Sequence, residues 1–240
     1  MEEREALTLG SGGRDTARYS WLLVAVLLAL FLPPLLRATE LHVPTLRIGL
    51  SVVLVAALFT ISRRRAVLVA GLLLGVPALV FDWASWITAS RGFAMLSSLA
   101  ASGFLALVTA TLGARLLATD RVTSDTILGG ACLYLLLGIL WVTLYSFAEI
   151  AQPGSLWIEG APLTDGSVPG ETFRHPEILY FSFVTLTTLG YGDIVPRSDA
   201  MRALAAGEAI VGQLYITIFI ARLVGLHLAH GRPVPRPPVD

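Results

Sequence analysis

Six long apolar runs divide this chain, at about 20–36, 46–62, 66–88, 94–118, 127–150 and 199–228. Crossing a bilayer takes about 20 apolar residues at a rise of ~1.5 Å each, so every run predicts a membrane-spanning α-helix. A polar stretch with several Gly and Pro, about 151–176, reads as a loop. Between it and the last run, Pro176 opens an apolar segment too short to span, and a polar, glycine-bearing stretch follows at 185–193. The first run is not read as a cleaved signal peptide. Glu2, Glu3, Glu5 and Asp15 precede it and the bulky Leu35-Leu36-Arg37 follows it, whereas a signal peptide has a basic start and a small-residue cleavage site.

Composition sharpens this picture. Hydrophobic residues make up 55% of the 240 positions and charged residues 14%, with a mean hydropathy of +0.74, which places the chain in the membrane class. The 17 basic residues are all arginine, a bias that suggests a GC-rich bacterial genome. Arg63, Arg64 and Arg65 crowd the second connection, Arg115 and Arg121 the fourth, and Arg222, Arg232 and Arg236 follow or close the last run. The positive-inside rule makes that side cytoplasmic, with both termini inside and 151–176 outside, and the triple arginine also suits anionic lipid. The outer region carries Glu159, Asp165 and Glu171, a solvated loop that would also concentrate cations. Chemistry of other kinds is missing. Cys132 is single and sits in an apolar run, so no intrachain disulfide forms, and the absence of asparagine removes any glycosylation sequon. No metal-ligand spacing, nucleotide-binding glycine motif or hydrolytic triad occurs, so we expect no enzyme activity, no cofactor and no nucleic-acid partner.

The glycine-bearing stretch reads Thr185-Leu186-Thr187-Thr188-Leu189-Gly190-Tyr191-Gly192-Asp193. It resembles the selectivity filter of bacterial potassium channels of the voltage-gated-like superfamily. Thr188, Leu189, Gly190, Tyr191 and Gly192 stand at the five positions of T-V-G-Y-G, with leucine where valine is commonest. The resemblance implies an all-α membrane protein with six transmembrane helices, a re-entrant pore helix and a filter loop, assembled as a homotetramer in the cell membrane among its lipids. It implies that K+ exchanges its water for carbonyl oxygens of Thr188, Leu189, Gly190 and Tyr191. Turning neighbouring carbonyls to one axis requires some residues at positive φ, which Gly190 and Gly192 tolerate without a Cβ clash. Leu189 and Tyr191 are expected to point away from the ions.

On this reading 1–18 is a cytoplasmic segment, 19–120 a four-helix membrane domain, 121–229 the pore domain and 230–240 a Pro-rich cytoplasmic tail. Pro176 suits the first turn of a pore helix running to about Thr187, and Glu177 suits its positive dipole end. The resemblance implies that Asp193 braces the filter by a hydrogen bond to a pore-helix aromatic, here Tyr180 or Phe181, and only Tyr180 has a hydroxyl. Val184 stands where some bacterial channels carry a glutamate coupled to that aspartate. Glu208 lies ~15 Å into the last helix, deep enough to require a partner or a proton. Ser182, Thr185 and Thr187 are candidate partners for it, as a structural brace behind the filter or as a proton sensor. Asp82, about 16 residues into its helix beside Trp83 and Trp86, reads as an interfacial residue.

The last helix is where a gate is expected if there is one. Gly212, twenty residues after Gly192, is either a hinge or a packing glycine, and Gly207 is a second weak point. Gln213 and Thr217, four apart, are expected in the cavity below the filter with Ile216, and Ile220, Ala221 and Val224 near an inner constriction that could close by dewetting. The fourth run offers only Arg115, so it lacks the arginine repeat of a voltage sensor. From the short stretch after residue 228 we expect no nucleotide-binding or calcium-binding cytoplasmic domain, and the prolines at 233, 235, 237 and 238 predict a disordered tail or a polyproline ligand. Two rivals stand beside the potassium channel: a weakly selective cation channel with a filter loosened by Leu189, and a non-conducting regulatory membrane protein.

Overall fold

The structure is a computed structural model describing residues 19–32, 35, 42–60, 65–119, 123–164 and 176–230. The N-terminal segment, Arg37, Arg63, Arg64, Arg121, Asp165, Glu171 and the tail from 231 lie outside the described residues. The elements run α1 (Tyr19–Leu32), α2 (His42–Thr60), α3 (Arg65–Thr88), α4 (Arg91–Leu117), α5 (Ser124–Ala151), β1 (Leu156–Ile158), β2 (Ala161–Pro162), α6 (Pro176–Leu186), β3 (Ile194–Pro196) and α7 (Asp199–His230). Among the described residues four helices, α3, α4, α5 and α7, are long and apolar enough to cross a membrane. The described apolar parts of α1 and α2, Tyr19–Leu32 and Ile48–Leu58, are shorter than that.

Polar residues inside these helices are handled locally, as a membrane requires, because an unsatisfied group there costs several kcal/mol. Along α4 the hydroxyls of Ser98, Ser102 and Thr109 donate to carbonyls four residues back, Ala94, Ser98 and Leu105. Others tie neighbours together: Ser97 donates to the Ala78 carbonyl of α3 at 3.0 Å, and Ser102 and Thr143 of α5 share a hydrogen at 2.8 Å. Helix α5 starts on a capping box, with Thr123 and Thr126 each bonding the other's backbone N–H.

Helix α4 lies between α3 and α5 of its own chain, so the first four helices pack directly on the second half of the same chain. One core cluster joins α1, α2, α4 and α5 through Val26, Val53, Phe104, Leu105 and Leu136. The other joins α5, α6 and α7 with the small sheet through Tyr145, Leu156, Ile178, Phe181 and Met201. Two arginines clamp the ends of this stack by covering helix C-terminal carbonyls, which lack intrahelical partners. Arg91 at the start of α4 donates to Ile150 and Ala151 at the end of α5. Arg222 of α7 donates to the carbonyls of Leu116 at 2.7 Å and Thr119 at 2.5 Å, just past α4. It thus has a structural bond beyond the topological role its charge suggests.

The segment after α5 is more ordered than a loop. β1 pairs antiparallel with both β2 and β3, in the order β2-β1-β3 and with Trp157 opposite Val195. The sheet therefore fastens the chain leaving 185–193 to the end of α5. Asp82 lies near the end of α3, with its side chain 8% exposed and turned into the helix stack.

Candidate functional site

Helix α6 begins at Pro176 with Glu177 in its first turn and ends at Leu186. Its end is closed by the backbone of the following segment. The Thr188 N–H bonds the Thr185 carbonyl at 2.9 Å and the Leu189 N–H bonds the Val184 carbonyl at 2.9 Å. With Thr188 at φ 57°, these two bonds form a Schellman cap, a position that usually carries glycine. Gly190 at φ 58° and Gly192 at φ 81° continue the pattern, so positive φ recurs at every second residue from 188 to 192. Such alternation turns successive carbonyls to the same side instead of alternating them as a strand does.

The β-branched Thr188 holds an uncommon conformation, and a side chain from α7 supports it: Gln213 Nε2 donates to Thr188 Oγ1 at 3.0 Å. Leu189 and Tyr191 are 55% and 69% exposed, so the described residues of one chain leave both largely uncovered. Asp193 lies beside the Tyr180 hydroxyl, and its carbonyl accepts the Glu159 N–H at 3.4 Å. Thr187 donates to the Phe183 carbonyl at 2.7 Å within its own turn, and Thr185 takes part through its carbonyl. Neither reaches Glu208.

Two fully buried carboxylates flank the segment. Glu208 of α7 meets Ser182 of α6 at 2.6 Å through Oε1 and the Tyr145 hydroxyl of α5 through Oε2. Glu149, near the end of α5, accepts from the Gly154 N–H at 2.7 Å, the Leu156 N–H at 2.9 Å and the Thr164 hydroxyl at 2.5 Å. It anchors the turn into β1 and, through the sheet, the residues after Asp193. Sequence reasoning missed Glu149 and Tyr145. An acid two residues inside a span end gave the only signal for the first; 63 positions separate the second from its partner.

Along α7, Gly212 is buried in close contact with the end of α6, where a Cβ would stand 2.3 Å from the Leu186 carbonyl oxygen. Gly207 faces Trp141, 3.3 Å from where its Cβ would be. Gln213, Thr217, Ile220, Ala221 and Val224 fall on an exposed stripe, with Ile216 half-buried beside it. Ile210, Leu214 and Ile218 form a second exposed stripe, wholly apolar. Tyr134 and Tyr215 add bonds to carbonyls, to Leu186 at 3.3 Å and Gly130 at 2.7 Å. Among the described residues no group of His, Cys, Asp and Glu is arranged to hold a metal.

Residues 131–226, from within α5 through most of α7, match the family model described as "Ion channel". Short stretches are similar to plant proteins. "Two pore potassium channel a" of Oryza sativa subsp. japonica is 38% identical over 52 residues, covering 22% of this chain and 15% of the relative. "Two pore potassium channel c" of the same plant is 30% identical over 86 residues, covering 36% and 19%. "Two-pore potassium channel 1" of Arabidopsis thaliana is 44% identical over 46 residues, covering 19% and 13%. The aligned part thus spans at most 19% of the length of these relatives. No solved structure matches the chain. The chain is mostly helical, has four helices among the described residues that are long and apolar enough to cross a membrane, and is similar in its second half to an ion-channel family.

Proposed function

We propose that this chain is one subunit of a homotetrameric, potassium-selective channel that conducts K+ passively. The observation that carries this reading is the backbone at 188–192, where positive φ at Thr188, Gly190 and Gly192 turns a row of carbonyls to one side at the end of a capped helix. Four such rows about an axis replace the hydration of K+ with oxygens of Thr188, Leu189, Gly190 and Tyr191, and ions move by mutual knock-on. The C-terminal carbonyls of α6 add partial negative charge below the row. Four copies also explain the exposed features. Leu189 and Tyr191 gain cover from neighbouring subunits, the apolar stripe of Ile210, Leu214 and Ile218 packs between subunits, and Gln213 and Thr217 face the water-filled cavity. α1 and α2 complete six spans, with both termini cytoplasmic. The names of the plant relatives favour potassium over other ions.

The test is K+ flux into vesicles holding the purified protein, beside the Gly190→Ala variant. No atom stands within 4 Å of an added Cβ at Gly190, so alanine there is opposed by its φ of 58° and not by a clash. That strain is roughly 1–2 kcal/mol per subunit and recurs in all four. Flux in wild type and its loss in an assembled Gly190→Ala tetramer is the expected result. Equal flux from both, or a stable monomer, overturns the reading.

A further inference from the structure

A cavity of about 210 Å³ lies between the end of α4, the start of α5 and the second half of α7. Gly113 and Leu116 of α4, Leu133 of α5 and Phe219 of α7 wall it. Three polar side chains reach its lining, Thr126, Tyr215 and Arg222, and each is bonded elsewhere. Thr126 is held by Thr123 in the capping box, the Tyr215 hydroxyl donates to the Gly130 carbonyl at 2.7 Å, and Arg222 donates to the carbonyls of Leu116 and Thr119. The interior therefore offers hydrocarbon and little else. Such space suits an apolar guest over water, since a dry apolar cavity of ~150 Å³ already takes a benzene ring.

One end of the cavity is different, because the Arg222 guanidinium sits there, just past the last turn of α4. A guanidinium has five N–H donors. Among the described residues two are used, on the two carbonyls, and the group keeps its charge. Arg65 and Arg115 stand at the same end of α3 and α4, and the described helices place one acid there, Asp125. Glu149, Glu177, Asp193 and Asp199 lie at the opposite end of the molecule. A second copy of this chain, docked level with the first, would bring arginine to arginine, whereas an anion is attracted.

We propose that this cavity holds one acyl tail of an anionic phospholipid whose phosphate rests on Arg222. The tail matches the dry apolar wall, and the fork of the guanidinium matches phosphate oxygens. The lipid has a way in from a bilayer: α4, α5 and α7 are long and apolar enough to cross one, and Ile218, which also lines the cavity, belongs to the exposed apolar stripe of α7. Once seated, the tail fills the gap between the last helix and the end of α4. The site needs a chain in a bilayer and does not need one that conducts.

The experiment is native mass spectrometry of the full chain released from bilayer discs of equal phosphatidylglycerol and phosphatidylcholine. Wild type is expected to keep one lipid per chain, with phosphatidylglycerol favoured about fivefold, the equivalent of about 1 kcal/mol for one arginine at a lipid surface. In Gly113→Leu the new Cβ stands 3.5 Å from Leu133, an ordinary contact, and the rest of the side chain takes the place of the tail. That variant should lose both lipids. Arg222→Gln should keep a lipid and lose the preference. Because Gly113→Leu leaves Arg222 and its bonds in place, it decides the matter even where Arg222→Gln folds poorly. No retained lipid in wild type, equal retention in Gly113→Leu, no preference for phosphatidylglycerol, or a preference that survives in Arg222→Gln overturns the proposal. So does a density map with a neighbouring copy's side chain seated in the cavity. Retained lipid on a protein that passes no K+ leaves the site standing and removes the channel reading alone.

Discussion

Gly212→Ala separates two roles for the glycine at the centre of α7. Its Cβ would lie 2.3 Å from the Leu186 carbonyl oxygen, more than about 1 Å inside van der Waals contact. A backbone carbonyl cannot rotate away as a side chain does, so α6 or α7 must shift, and Leu186 is the last residue of α6 before the 187–192 segment. Overpacking of this kind costs about 1–3 kcal/mol. Against it stands the gain of up to ~1 kcal/mol from replacing glycine inside a helix. Gly225→Ala isolates that gain, because Gly225 lies on the same helix with no atom within 4 Å of an added Cβ. The difference between the two variants is therefore the packing effect alone, about 1–3 kcal/mol in favour of Gly225→Ala. Thermal unfolding of the purified protein reads the stability, and vesicle flux reads the displacement of the pore-helix end. Equal stability of the two variants refutes the packing argument. A Gly212→Ala protein that is more stable but gates differently would make Gly212 a hinge.

Glu149→Gln keeps the shape but replaces one acceptor oxygen with a donor, leaving a donor among Gly154, Leu156 and Thr164 unmatched at a cost of about 1–3 kcal/mol. Faster amide exchange at Gly154 and Leu156 is expected, and unchanged protection there contradicts the anchoring role. Gln213→Leu removes the donor to Thr188 Oγ1 at similar volume, a bond of about 0.5–1.5 kcal/mol, and should lower K+ flux without preventing assembly. Unaltered flux would mean that Thr188 keeps its φ of 57° without help from α7.

Features encoded by neighbouring residues were legible in the sequence, and those that depend on distant pairs were not. The long spans follow from apolar length, and Pro176 with Glu177 marks the start of α6 because its chemistry is local. The glycines at 190 and 192 point to positive φ by residue type; Thr188 does not, since its conformation comes from capping α6 and from Gln213, 25 positions away. The sheet was unreadable because its strands are two or three residues long and β1 pairs with β3 across α6 and the 185–193 segment. The burial of Asp82 could not be read, since runs of apolar residues around it conceal which face of α3 meets α4. Glu208 announced a need for a partner by its depth, and the spacing suggested the hydroxyls of α6. Tyr145 entered only when α5 was packed against α7.

The central claim is that carbonyls of Thr188 to Tyr191 select K+ in a fourfold pore, and the reversal potential of the reconstituted protein between a potassium and a sodium solution tests it most directly. The account predicts a current that reverses near the potassium equilibrium potential. Reversal near zero, or no current from an assembled tetramer, contradicts it.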